Sequence, residues 1–198
     1  MSAFTPQPAR GPFTRTWSGR CWHAQDPDPA AVDIGDIAHH LAGKERFGGA
    51  LDQPYSVGQH SVLVSRLAER RSAARGDSHA VQRAVALTGL LHDAEEFALP
   101  DVPAPVKAML TGWPIIERNN RAVIFAALGV TLTGWDLVHE IDQRIREDEV
   151  LAFGSAAMRE RWQPELDSLG LALSCWTRDK AEWAFLERWR DLTGRAAG

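Results

Sequence analysis

The chain has 198 residues, 44% of them hydrophobic, enough for one well-packed domain and short for two. A formal net charge of -4 argues against a nucleic-acid polymer as partner, while leaving room for a single nucleotide held by a few arginines. Cys21 and Cys175 offer no disulfide framework, no apolar run is long enough for a membrane span, and the first residues lack the plan of a signal peptide. A soluble, cytoplasmic protein with no membrane partner is expected.

Residues 1–13, with Pro6, Pro8, Gly11 and Pro12, read as a loose leader ahead of a single domain over 14–198. Thr14 to His23 alternate around Gly19, which predicts a short hairpin. Asp33 caps a helix carrying Ile34, Ile37, Ala38 and Leu41, and Gly43 ends it. Ser56 caps the next, whose inward face runs Val57, His60, Val64 and Leu67; the polar stretch from Arg70 to His79 reads as a loop. Val81, Ala84, Val85, Leu87 and Leu90 predict a helix buried on most of its circumference that continues through His92, Asp93 and Glu96. Pro103 and Pro105 exclude regular helix from Asp101 to Lys107, leaving a stiff connection. Pro114 opens a helix with Ile115, Ile116, Val123 and Ala127 as its apolar positions and Gly129 at its end. Asp136 starts another, with Val138, Asp142, Ile145, Glu149 and Ala152 in one row, and the last helix carries Ala181, Phe185, Trp189 and Leu192. The sum is an all-α bundle with a minor N-terminal hairpin. Eight tryptophans, among them Trp113, Trp135, Trp162, Trp176, Trp183 and Trp189, read as core or subunit contacts in preference to ligand stacking.

Polar residues on apolar faces carry the functional signal. His60 points where the valines of its helix point, Asp142 interrupts a core stripe, and His92-Asp93 closes an apolar run. Buried carboxylates and unpaired imidazoles are costly unless a metal or a partner compensates them. Two neutral imidazoles and two carboxylates make a ligand set for one divalent ion, with zinc, cobalt, manganese, iron, nickel and magnesium all open. Taken singly, His60 also reads as a hydrogen-bonded core histidine, and Asp142 as a partner of Arg144 or Arg146. Glu149, two turns beyond Asp142, suits an acceptor for a ligand histidine or an arginine. His23, His39, His40 and His79 share no spacing with the set and read as surface or supporting groups, and Glu95 as structural.

Tyr55-Ser56-Val57-Gly58-Gln59-His60-Ser61 and the block from His92 through Glu96, Pro100 and Asp101 to Lys107 resemble the HD-domain phosphohydrolases. The likeness is strongest to the bacterial 5′-deoxynucleotidases and the phage dATP triphosphohydrolases of that superfamily, and covers roughly residues 16 to 155. It implies an all-α HD fold, a metal held by His60, His92, Asp93 and Asp142, Glu96 as acid or base, and Asp101 assisting it. It further implies Arg46 and Lys107 near phosphate and Phe47 as a wall beside the nucleoside, and self-association. The expected reaction is attack of a metal-activated water on the phosphorus next to the 5′ oxygen. The expected substrate is a deoxynucleoside triphosphate, dATP first, giving deoxynucleoside and triphosphate; the alternative is a 5′-deoxynucleotidase releasing phosphate from a monophosphate. A non-catalytic nucleotide sensor and a di-iron oxygenase are the remaining readings. Only His139 lies between His92-Asp93 and Asp142, which disfavours a second metal.

Overall fold

The computed structural model describes residues 10–196, so most of the expected leader, including Pro6 and Pro8, lies outside the described residues. The part that is described departs from a frayed end. Arg10 reaches Asp26 (3.5 Å) and Asp28 (3.2 Å), and the Gly11 carbonyl lies 3.1 Å from His23 Nδ1.

The hairpin pairs β1 (Thr14–Arg15) antiparallel with β2 (Cys21–Trp22), turning through Gly19 at φ +85°. It seats Trp22, which is 1% exposed, packs edge-on against Phe97 and donates its indole N–H to Asn120 Oδ1 at 2.8 Å. At the tip, Ser18 donates to both oxygens of Asp36, and the Trp17 amide donates to His40 Nε2 at 2.9 Å.

Eight α-helices follow among the described residues, forming the expected all-α bundle. In α1 (Ile34–Ala42), Asp33 caps the amides of Gly35 and Asp36; in α2 (Val57–Ala74), Ser56 caps Gln59; in α3 (His79–Leu91), Ser78 caps Val81. Next come α4 (Ala104–Lys107), α5 (Trp113–Ala127), α6 (Trp135–Phe153), α7 (Ala156–Arg161) and α8 (Arg178–Thr193). α2 lies in the middle, against α1, α3, α6 and α8. One apolar cluster joins Ile37, Leu41, Val57, Leu90, Leu91, Phe97, Phe185 and Trp189; a second joins Val64, Val85, Val138, Ile141 and Ile145. No helix of the described residues is long and apolar enough to cross a membrane.

Four expectations are corrected. The loop expected at Arg70–His79 shrinks to Arg75–Ser78: the residues before it belong to α2, where Arg70, Ala73 and Ala74 face outward, Arg71 reaches Glu140, and the buried Ser72 donates to Asp77. A helical turn does form at Ala104–Lys107, because Pro103 and Pro105 occupy its first turn, where a missing N–H costs nothing, and the Pro103 carbonyl accepts from Val106 and Lys107. On α5 the buried residues are Asn120, Ile124 and Phe125, while Ile115 is 54% exposed and Ala127 is exposed. A polar residue marks that face, since the Asn120 amide also donates to the carbonyls of Ala24 and Ile116. On α6 the inward row passes from Glu149 to Phe153 in place of the exposed Ala152, because Phe153 packs on Tyr55 with ring centroids 4.9 Å apart.

Candidate metal centre and its cavity

Two histidines meet where α2 and α3 touch. A Cβ added to Gly89 of α3 would lie 3.0 Å from Ser65 Cα, so glycine permits main-chain contact between the helices, and Ser65 Oγ donates to the Ala86 carbonyl at 2.7 Å. His60, in the first turn of α2, thereby faces His92 with the two Nε2 atoms 3.2 Å apart. α3 stops at Leu91. His92 follows as its cap, Asp93 leaves helical geometry at φ -109° and ψ 21°, and Ala94–Phe97 form a 3-10 turn. The apolar periodicity predicts one helix through His92, Asp93 and Glu96; the three do not in fact share a continuous helix. The break lets two adjacent residues aim at one point, which the roughly 100° step of an α-helix opposes.

Asp142 of α6 brings its Oδ1 to 3.0 Å from His60 Nε2 and 3.7 Å from His92 Nε2, while Asp93 Oδ2 lies 3.1 Å from His92 Nε2 and 4.0 Å from His60 Nε2. Asp142 pairs with neither Arg144 nor Arg146. Arg144 turns to Glu140 and Arg146 to Glu147 and Glu165. Four donor atoms from His60, His92, Asp93 and Asp142 lie within 4.8 Å of one another. Metal–ligand bonds of roughly 2.0–2.1 Å in a tetrahedron require donor–donor edges of about 3.3–3.4 Å; the separations of 3.0, 3.1, 3.2 and 3.7 Å bracket that, and the 4.0 Å between His60 and Asp93 is longer.

Hydrogen bonding orients both imidazoles with Nε2 towards the cluster. The Gly89 carbonyl, 2.9 Å from His92 Nδ1, can only accept, so that nitrogen carries the proton and Nε2 offers a lone pair. Glu149 Oε1, 2.7 Å from His60 Nδ1, does the same for His60. Burial opposes ionisation of Glu149, but Arg46 and His60 hold its pKa below the usual carboxylate range. Two imidazole lone pairs and two carboxylates converge, and such a group needs positive charge. Burial disfavours a charged His92, yet Asp93 and Asp142 raise its pKa well above that of free imidazole. Both carboxylates, despite burial, are pulled low by the histidines: His92 acts most on Asp93, and His60 then His92 on Asp142. A divalent cation meets the same demand, and the residues present fit one.

Arg46 anchors the group from the loop after α1. Its Nε donates to Glu149 Oε2 at 3.1 Å, and its other nitrogens lie 3.7 Å from Asp93 and 3.9 Å from Asp142. The turn Arg46–Gly49 runs through left-handed backbone at Phe47 (φ 55°), Gly48 and Gly49; for Phe47 this is strain of about 1–2 kcal/mol, of the kind that gathers at functional sites. Phe47 is held inside a cavity of about 600 Å³ that it lines together with Arg46, Asp93, Glu96, Asp101, Lys107, Asp142 and Trp162. Every residue that the sequence assigns to substrate or acid–base work thus faces one space with both ligand carboxylates.

Glu96 is 3% exposed; its Oε1 lies 3.4 Å from Lys107 Nζ, and its Oε2 has no hydrogen-bond partner. Burial first, then Asp93 and Asp101, lift its pKa well above the carboxylate norm, which favours its protonated form. Burial likewise raises Asp101. Lys107 is shared with Glu117 at 2.7 Å. Glu95 turns away to a two-point pair with Arg121, tying the 3-10 turn to α5.

Sequence reasoning misses two contributors. Lys44 donates to the carbonyls of Glu96 and Leu99 and clamps the segment carrying Glu96 and Asp101; its being one of three lysines is the one local hint. Trp162 lines the cavity and belongs to neither apolar cluster, fixed by a carboxylate fifteen residues earlier that no periodicity exposes.

No protein-family profile matches the chain. It is similar to an uncharacterized protein of Rhodobacter capsulatus, 39% identical over 111 residues, which are 55% of this chain and 53% of that protein. It is also similar to the uncharacterized protein YfdR of Escherichia coli, 34% identical over 118 residues, 60% of this chain and 59% of that one. The chain thus spans between half and three fifths of the length of these relatives.

Proposed function

We propose that the protein is an HD-type, single-metal phosphohydrolase of deoxynucleotides, acting on a triphosphate, with dATP as the first substrate to test, and releasing deoxynucleoside and triphosphate. The observation that carries this reading is the unpartnered Oε2 of Glu96, a buried carboxyl of raised pKa, in a cavity that the two carboxylates of the four-atom metal set also line. A divalent cation bound there lowers the pKa of a coordinated water towards neutrality and draws charge from phosphate oxygens.

The chain's own residues divide the remaining work. His60, His92, Asp93 and Asp142 hold the cation, and Glu149 keeps His60 in the ligating tautomer. Arg46, already committed to Glu149, presents a fixed guanidinium to phosphate, and Lys107 adds a second cation beside Glu96. Glu96, protonated at rest, delivers a proton to the departing 5′ oxygen from Oε2, and Asp101 shares the control of that proton. The volume of about 600 Å³ falls within the range of small-molecule sites and accommodates a nucleotide with a phosphate chain.

The test is a panel of deoxynucleoside mono-, di- and triphosphates. Chelated protein should leave all intact, and Co²⁺, Mn²⁺ or Zn²⁺ should restore turnover, with the products identified. Triphosphate release from dATP supports the proposal. Phosphate release from monophosphates alone moves the assignment to 5′-deoxynucleotidase, and an intact panel with metal restored refutes phosphohydrolysis.

A further inference from the structure

Trp162 is placed and held in a way that the metal centre does not require. It follows α7, is half-buried, belongs to neither apolar cluster and lines the cavity of Asp93, Glu96 and Asp142. Its indole N–H donates at 2.5 Å to Oε2 of Glu147, itself 2% exposed, and the Glu165 amide donates to the other Glu147 oxygen at 3.4 Å. Arg146 completes the brace, 3.6 Å from Glu147, 2.9 Å from Glu165, and with its guanidinium 5.9 Å from the indole centroid. A tryptophan used for packing gains by burying both faces. This one stays partly open while its single polar atom fixes the ring, as a preformed stacking surface demands.

The second wall is Phe47, whose ring centroid lies 6.4 Å from that of Trp162 at an interplanar angle of 67°, making an aromatic corner. Arg46 links this corner to the reacting end: its guanidinium is 5.8 Å from the Phe47 ring and 3.7 Å from Asp93. On α6, Asp142 and Arg146 are one turn apart, so one helix presents both the metal ligand and the brace of the indole. A flat, apolar, π-rich group attached to a phosphate fits this order of walls, because stacking takes any base and the cations take the phosphate.

Resting on the phosphohydrolase reading, we infer that Phe47 and Trp162 form the nucleobase seat, with Trp162 the residue that makes the protein prefer a nucleotide over a base-free sugar phosphate. Glu147 and Arg146 act as positioning residues for it.

The experiment uses the full chain carrying Glu96→Gln and loaded with Co²⁺, titrated calorimetrically with dATP, dAMP and 2-deoxyribose 5-phosphate. Adding Trp162→Ala should weaken the tighter-binding nucleotide about tenfold and leave the sugar phosphate unchanged. Trp162→Phe, which keeps a ring and loses the Glu147 bond, should weaken the nucleotide by less than Trp162→Ala but measurably, and guards against a folding defect in the alanine variant. Unchanged nucleotide affinity, or equal weakening of nucleotide and sugar phosphate, overturns the seat while leaving the phosphohydrolase reading intact. If neither nucleotide binds the Glu96→Gln protein with Trp162 present, both fail together.

Discussion

Glu149→Gln separates the two duties of one buried carboxylate. Glu149 is fully buried and accepts from His60 Nδ1 through Oε1 and from Arg46 Nε through Oε2, so two donors converge on two acceptors. Glutamine keeps the shape but offers one acceptor. With its carbonyl towards His60, its NH₂ meets the Arg46 N–H; turned round, its NH₂ drives the His60 proton from Nδ1 to Nε2, the atom that should bind metal. Either orientation loses a bond. Disturbing such a support to a ligand histidine costs about 10–100-fold in metal affinity, about 1.4–2.7 kcal/mol. In the metal-free protein the substitution costs on the order of 1–3 kcal/mol of stability without the metal contribution, and Arg46 still faces Asp93 at 3.7 Å and Asp142 at 3.9 Å. Once those carboxylates serve a cation, Glu149 is the counter-charge left to Arg46, so the deficit should be larger in the loaded protein. Competition against a chromophoric chelator measures the affinity, and melting with and without metal measures the coupling. A Glu149→Gln protein that binds Co²⁺ within about twofold of wild type would refute the reasoning.

Glu96→Gln should retain wild-type metal content and lose turnover by about 10²–10⁴-fold, read by elemental analysis alongside the nucleotide panel; parallel loss of metal would reassign Glu96 as a ligand. The pH dependence follows from His92, whose folded pKa is raised by Asp93 and Asp142 against burial. In metal-free protein this contributes stability that is fully present below the unfolded value of about 6.5 and disappears as pH rises through the folded value. Chelated protein should therefore lose stability as the pH climbs above about 7, and added Zn²⁺ should remove the dependence. A metal-free melting temperature flat across that range would contradict it. Metal affinity should run the opposite way, falling at lower pH as a proton occupies His92 Nε2, which titration at two pH values checks.

The parts of the fold that read directly from sequence are those set by local chemistry. Asp33 and Ser56 cap as their side chains dictate, and Gly19 turns the hairpin with the positive φ that glycine permits. The grouping of His60, His92, Asp93 and Asp142 was legible because polar residues on apolar faces need compensation, a constraint visible along each segment. What escaped depends on contacts between distant segments. Periodicity carried the His92 helix through Glu96, since Ala94 and Phe97 are as buried as a helix interior would make them; only the turn at Asp93 breaks it. Arg70–Ala74 looked like a loop because the outward face of a long helix has loop-like composition. Trp162 was indistinguishable from a core tryptophan until Glu147 placed it.

The contact at Gly89 has a bearing on which ions the protein can use. His60 and His92 stand on α2 and at the end of α3, whose approach at Gly89 is main chain against main chain. The spacing of the two nitrogens therefore depends on this contact, while Asp142 comes from a third element, α6. Ca²⁺, which takes its ligands at roughly 2.3–2.6 Å and prefers oxygen, would have to be met by the carboxylates. An ion held there would meet nitrogens whose spacing two backbones set, so a mutation that changes ion preference is to be sought at Gly89 as much as among the candidate ligands.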